Sequence, residues 1–341
     1  MRKVRTEDAV GMILCHDLTK IVPGEFKGPA FKKGHVVKPE DIEELLKMGK
    51  EHLYIWECDE GSLHENDAAR RIAGVAAGEG IELTEPREGK VNLVASRRGL
   101  LKINVEALTD VNDIEEVVVA TQHTNLLVEK GDIAAGTRVI PLIIKKEKIE
   151  RVEEICRTTG PLVEIKPLQS LRTGLITTGS EVYHGRVKDR FGPVVMEKLE
   201  NFGCPVTRQV LLPDDSQQIS ATIRELIAGG TEMVIVTGGM SVDPDDATPG
   251  GVKATGAQVI SYGAPLFPGA MFLLAYLDDI PILGLPGCVM YHKISVFDLV
   301  LPRILAGEKL TRRDLTRLGH GGLCLNCPEC RYPVCPFGKG F

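Results

Sequence analysis

The chain has 341 residues, 43% hydrophobic and 26% charged, with 41 Lys and Arg against 47 Asp and Glu for a formal charge of −6. That composition is globular and excludes a disordered, collagen-like or coiled-coil chain. The acidic balance argues against nucleic acid or an anionic membrane as partner, and 5% aromatics with the single Trp56 leave little for base stacking.

The first 60 residues mix short strand-like runs with a helix expected at Pro39–Met48, where Ile42, Leu45 and Leu46 share a face and Gly49 sits at the C-cap. His52–Trp56 then reads as a strand. Residues 58–66 read as a polar linker, and Asp67 as the cap of a helix through Ala77. Residues 61–170 form a middle α/β segment, with strands VNLVAS, LLKINV, EEVVVAT and TRVIPLII followed by a surface helix over Lys145–Arg157. The early basic residues are followed by no apolar leader, so a cytoplasmic protein is expected. The longest uncharged stretch, Ala254–Leu277, is broken by Gly and Pro and cannot be one membrane helix.

Residues 171–306 carry the clearest pattern. GLITT (174–178), MVIVT (233–237), AQVIS (257–261) and PILGL (281–285) read as buried parallel strands. Apolar residues at helical spacing lie between and after them: Phe191–Phe202, Ile219–Ile227 and Ile294–Ile304. Alternating strands and helices imply an α/β domain of three layers around a mostly parallel sheet, preceded by smaller α/β or β-rich segments. Ligands of such sheets bind beyond the carboxyl ends of the strands.

Five loops fall there: Thr177-Thr178-Gly179-Ser180-Glu181, Leu212–Ser216, Thr237–Gly251, Pro268-Gly269, and Leu285-Pro286-Gly287-Cys288. Gly beside Ser or Thr offers backbone N–H groups to a phosphate. Glu181, Asp243, Asp245 and Asp246 face no Lys or Arg between 238 and 252, which suits a magnesium–phosphate ligand. Structural readings stand beside these: Gly238 and Gly239 as turn residues, and Asp215 and Asp246 as helix caps.

The order TTGSE, PDD, VTGGMSVDPDDATP, PG and LPG resembles the molybdopterin-binding domain shared by molybdopterin adenylyltransferases and molybdenumtransferases. The resemblance implies that Thr178, Gly179, Ser180, Thr237, Gly238, Gly239, Ser241, Pro268, Gly269, Pro286 and Gly287 bind the pterin and its phosphate. It implies catalytic roles for Glu181, Asp215 and Asp246, with Asp243 and Asp246 on magnesium. The long N-terminal portion is similar to the molybdenumtransferase branch. That branch inserts molybdate, or tungstate, into adenylylated molybdopterin with release of AMP. Asp243 replaces its Gly, Cys288-Val289 its Asn-Pro, and its Ser-x-x-Asp-Gly-Tyr-Ala stretch is missing. A non-catalytic protein delivering the cofactor to a molybdoenzyme is therefore the alternative, and a homodimer is compatible with either.

The last segment, 307–341, holds Cys324, Cys327, Cys330 and Cys335 in a C-x2-C-x2-C-x4-C run. Four thiols so close suit tetrahedral zinc or an iron–sulfur cluster, with His320 as a spare ligand and redox or docking as its use. The body, on this reading, folds without the tail.

Overall fold

The computed structural model describes residues 2–22, 26–55, 61–240 and 246–340. They divide into two units, one of residues 1–97, 103–122 and 129–165, the other of residues 98–102, 123–128 and 166–341.

In the first unit Arg2–Arg5 pairs antiparallel with His52–Ile55, and Leu18–Val22 with Phe26–Phe31. The helix forms over Asp41–Lys47. Ala9, Leu14, Leu18, Phe31, Val37, Leu45 and Leu53 make a small core of their own. The middle segment is antiparallel, with a four-stranded sheet of Ile81–Leu83, Lys90–Ala95, Ile133–Val139 and Val117–Thr121 in that spatial order.

Two expectations fail here. The latter part of the expected linker is a strand, Ser62–His64, paired with Ile143–Lys145. The next helix begins at Glu65, ahead of Asp67, because the ring of His64 supplies the cap: Asn66 N–H donates to Nδ1 at 3.2 Å. Nε2 of the same ring lies 2.7 Å from the Cys15 carbonyl, so the imidazole is used as a neutral linker, and burial lowers its pKa. Arg71 holds Glu153 through two 2.7 Å contacts, fastening this helix to Lys146–Thr159.

The second unit is built on a six-stranded sheet. Its strands are β1 (Thr173–Thr178), β2 (Val206–Leu212), β3 (Met233–Thr237), β4 (Gln258–Tyr262), β5 (Leu273–Leu277) and β6 (Ile280–Leu285), in the order β2-β1-β3-β6-β5-β4. β2, β1, β3 and β6 are parallel; β5 and β4 are antiparallel. The AQVIS run, expected among the parallel strands, runs in their direction but sits at the sheet edge, where its partner is the reversed strand β5, which a tight turn joins to β6.

Alternation along the strands sorts the core into two layers. Leu175, Ile235 and Leu283 face α1 (Phe191–Glu200) and α4 (Val296–Leu305). Ile176, Val234, Val236 and Ile282 face α2 (Ser216–Ala228) and α3 (Thr248–Ala254). This is the expected three-layer α/β arrangement.

The segment after α4 belongs to the same core. Leu310, Leu315, Leu318 and Phe337 are buried in it, and α5 (Arg312–Arg317) is tied back by Arg303, which meets Glu308 and Asp314 at 2.8 Å. Burial opposes ionisation of Asp314, yet the Thr311 hydroxyl and the Arg303 guanidinium hold its pKa down to about 2. The expectation of a body independent of its tail is corrected by this packing. Among the described residues no helix is long and apolar enough to cross a membrane.

Candidate functional site

Register brings the loops together. Thr177 of β1 pairs with Thr237 of β3, Thr237 with Leu285 of β6, and Thr178 with Leu212 of β2. The carboxyl ends of four parallel strands therefore lie level. β1 sits where the connections diverge, β2 to one side and β3 to the other, and a crevice opens at such a point. A cavity of about 700 Å³ occupies it.

Of the residues expected there, Thr178, Glu181, Gly238, Gly239, Asp246, Pro286 and Gly287 line the cavity. The glycine loop is held by two buried hydroxyls. Thr178 Oγ1 donates to the Thr237 carbonyl at 3.2 Å, Thr248 Oγ1 donates to the Gly238 carbonyl at 2.9 Å, and the two hydroxyls lie 3.3 Å apart. Gly238 has φ +86°, and a Cβ on it would stand 2.3 Å from the Thr178 carbonyl oxygen. The glycine is fixed by backbone crowding first, and the close approach it allows to a ligand follows from that.

Other expected ligands are engaged elsewhere. Thr237 is fully buried and its hydroxyl points back to the Ile176 carbonyl, 3.4 Å away. Ser180 gives both its N–H, at 2.8 Å, and its hydroxyl, at 3.1 Å, to Asp214. Gly179 donates to the Leu212 carbonyl and turns the chain at φ +140°. Gly269 is a packing residue, its missing Cβ making room for Val296 at 2.5 Å, and neither it nor Pro268 lines the cavity. Asp215 also stands outside. It caps α2 by accepting from Gln217 and Gln218 N–H, and those bonds lower its pKa. Asp215 is thus the N-cap of α2, and it does not line the cavity where a catalytic role was expected of it. Ser241 and Asp243 lie outside the described residues.

Asp246 behaves in the opposite way. Helix α3 starts from Ala247 with no side-chain cap, so Asp246 is not the capping residue the sequence also allowed. It lines the cavity, and after burial its charge is the second cause that raises the pKa of Tyr262, whose hydroxyl donates to the Met240 carbonyl at 3.0 Å.

The sequence reading missed the other wall. Lys188, Asp189 and Arg190 also line the cavity. Asp189 caps α1 through Phe191 and Gly192 N–H and accepts from Gln209 Nε2 at 2.7 Å, which places its two cationic neighbours at the opening. Lys188 and Arg190 are exposed and form no ion pair among the described residues. Their signal was a Lys-Asp-Arg triplet directly before the periodic run starting at Phe191. Cations to receive phosphate and carboxylates to receive a hard metal therefore share one crevice.

No three His, Cys, Asp or Glu side chains gather as a metal-holding group among the described residues. Magnesium does not require three, since it keeps several waters and takes one or two carboxylates plus substrate phosphate. Glu181 and Asp246, both lining the cavity, are the carboxylates that could hold it there.

Residues 174–306 match the family described as "Probable molybdopterin binding domain", and residues 3–57 match one described only as a domain of unknown function. The molybdopterin molybdenumtransferase of Synechococcus elongatus is 24% identical over 222 residues, covering 59% of this chain and 54% of that protein. A CinA-like protein of a Mycobacterium species is 37% identical over 79 residues, 23% of this chain and 19% of that one. The chain thus spans about half of the first relative and a fifth of the second. Among solved structures, the tungsten cofactor synthesizing protein MoaB of Pyrococcus furiosus aligns at 21% identity and a TM-score of 0.31, over 40% of this chain and 89% of that one.

Proposed function

We propose that this chain, which carries a domain of the molybdopterin-binding family over residues 174–306, takes adenylylated molybdopterin and molybdate to the finished molybdenum cofactor. The observation that carries the reading is the union, in one cavity at the strand ends, of the Gly238–Gly239 backbone, the carboxylates Glu181 and Asp246, and the cations Lys188 and Arg190.

Lys188 and Arg190 draw the phosphates in, and the glycine loop lets them approach the backbone closely. Glu181 and Asp246 are the residues that would hold magnesium, which when bound neutralises phosphate charge. The dithiolene sulfurs displace oxygen from molybdate as water, and water cleaves the phosphoanhydride so that AMP leaves. The protein's share is positioning and charge neutralisation, with no side-chain nucleophile.

A second reading, binding and delivery of the cofactor to a molybdoenzyme without transfer, is favoured by the missing Ser-x-x-Asp-Gly-Tyr-Ala stretch. Incubation with adenylylated molybdopterin, magnesium and either molybdate or tungstate, followed by measurement of AMP, separates the two. AMP formed with the oxyanion is the expected result. Tight binding of the finished cofactor with no AMP would replace the first reading by the second.

A further inference from the structure

The cysteine run is not absorbed by the site at the strand ends. Cys324, Cys327, Cys330 and Cys335 are free thiols, and all four line one second cavity of about 290 Å³. Two of them are anchored. Cys324 and Cys335 are half-buried and pack against the main core, and Cys324 N–H donates to the Phe267 carbonyl at 2.8 Å. Cys327 and Cys330 are exposed, on the loop between those anchors. Buried Phe337 and the Gly338 N–H bond to Gly321 at 3.0 Å fasten the chain just beyond. His320, the spare ligand of the sequence reading, does not line this cavity.

We propose that these four cysteines hold one thiolate-bound metal centre, a zinc ion or an iron–sulfur cluster. No three of them converge as a metal-holding group among the described residues. Thiolate sites are seldom preformed without their metal, and binding supplies the free energy that closes them. The four cysteines lie within a 12-residue span whose two ends are anchored, so closing it around a metal loses little loop entropy. Lys293 and Arg331 also line the cavity, and their positive charge offsets the negative charge of four thiolates around a divalent ion. Binding zinc forms metal–sulfur bonds and releases the thiol protons to solvent, and a preassembled cluster is taken up by exchange of its thiolate ligands for these cysteines, so neither step changes an oxidation state.

The inference is independent of the molybdopterin reading, because metal content is measured without the pterin. Full-length protein is purified anaerobically and assayed for zinc, iron and sulfide. About one centre per chain is expected, zinc being colourless and a cluster absorbing broadly in the visible. The double variant Cys327→Ser/Cys330→Ser changes only exposed side chains, so it keeps the core and should lose the metal. Cobalt(II) added to reduced, metal-free wild type should give the strong visible bands of tetrahedral thiolate coordination, and the double variant should not. Soluble, reduced protein that stays metal-free after exposure to zinc, and to iron with sulfide, overturns the proposal. So does a double variant that retains wild-type metal.

Discussion

At the scale of single residues, the site is set by what each polar group is already doing. Ser180, Thr237 and Asp215 have the right chemistry and the right neighbourhood, but their hydrogen bonds are spent on Asp214, on Ile176 and on the start of α2. Glu181 and Asp246 line the cavity as carboxylates, and Lys188 and Arg190 as cations. Gly238 tests the order of causes in the glycine loop. Gly238→Ala puts a methyl group 2.3 Å from the Thr178 carbonyl at a φ of +86°, so it should destabilise the protein by more than about 1 kcal/mol even without ligand. Denaturant unfolding of the ligand-free variant checks this. A variant as stable as wild type that has lost only ligand binding would mean the glycine serves the ligand alone. A Cβ on Gly239 would stand 3.0 and 3.2 Å from the Thr248 and Thr178 hydroxyls, so a larger side chain there would likewise disturb the loop as well as the phosphate.

Among the elements, those with a clear period were legible. The helices at 41–47, 146–159, 191–200, 216–228 and 296–305 follow apolar spacing, and β1, β3 and β6 follow β-branched runs. What escaped was written in contacts distant in sequence. β5 looks like part of an apolar stretch until β6 pairs with it, and His64 becomes a cap only when Cys15 receives its other nitrogen. The tail is the largest such case. Leu310, Leu315, Leu318 and Phe337 bury their side chains in the second unit's core, at about 1.5–3 kcal/mol each, a sum comparable with the whole stability of a domain. Truncation after Gly307 should therefore abolish cooperative unfolding of that unit, read by calorimetry. A truncated chain with the full-length transition would restore the tail to the status of an appendage.

Across the whole molecule, residues of the loops singled out in the sequence line one cavity where the parallel strands end, because Gly, Thr and Asp collect there. Roles within those loops are hard to read from sequence, because a capping aspartate and a cavity-lining aspartate look alike until helix starts are fixed: the N-cap of α2 is Asp215, whereas that of α3 is Ala247 and Asp246 lines the cavity. The two units also cut across the segments expected from sequence. Residues 98–102 and 123–128 belong with the second unit, where Lys102 meets Glu308 at 2.6 Å. The central claim is that the cavity at the ends of β1, β3 and β6 holds the pterin phosphate together with magnesium. Calorimetric titration of full-length protein with molybdopterin, with and without magnesium, tests it against Asp246→Asn and Arg190→Ala. The account predicts that Arg190→Ala weakens binding in both conditions, by about tenfold for the loss of one charge-assisted hydrogen bond. It predicts that Asp246→Asn removes the gain from magnesium while leaving the fold intact. Wild-type dissociation constants for both folded variants, in both conditions, would contradict it.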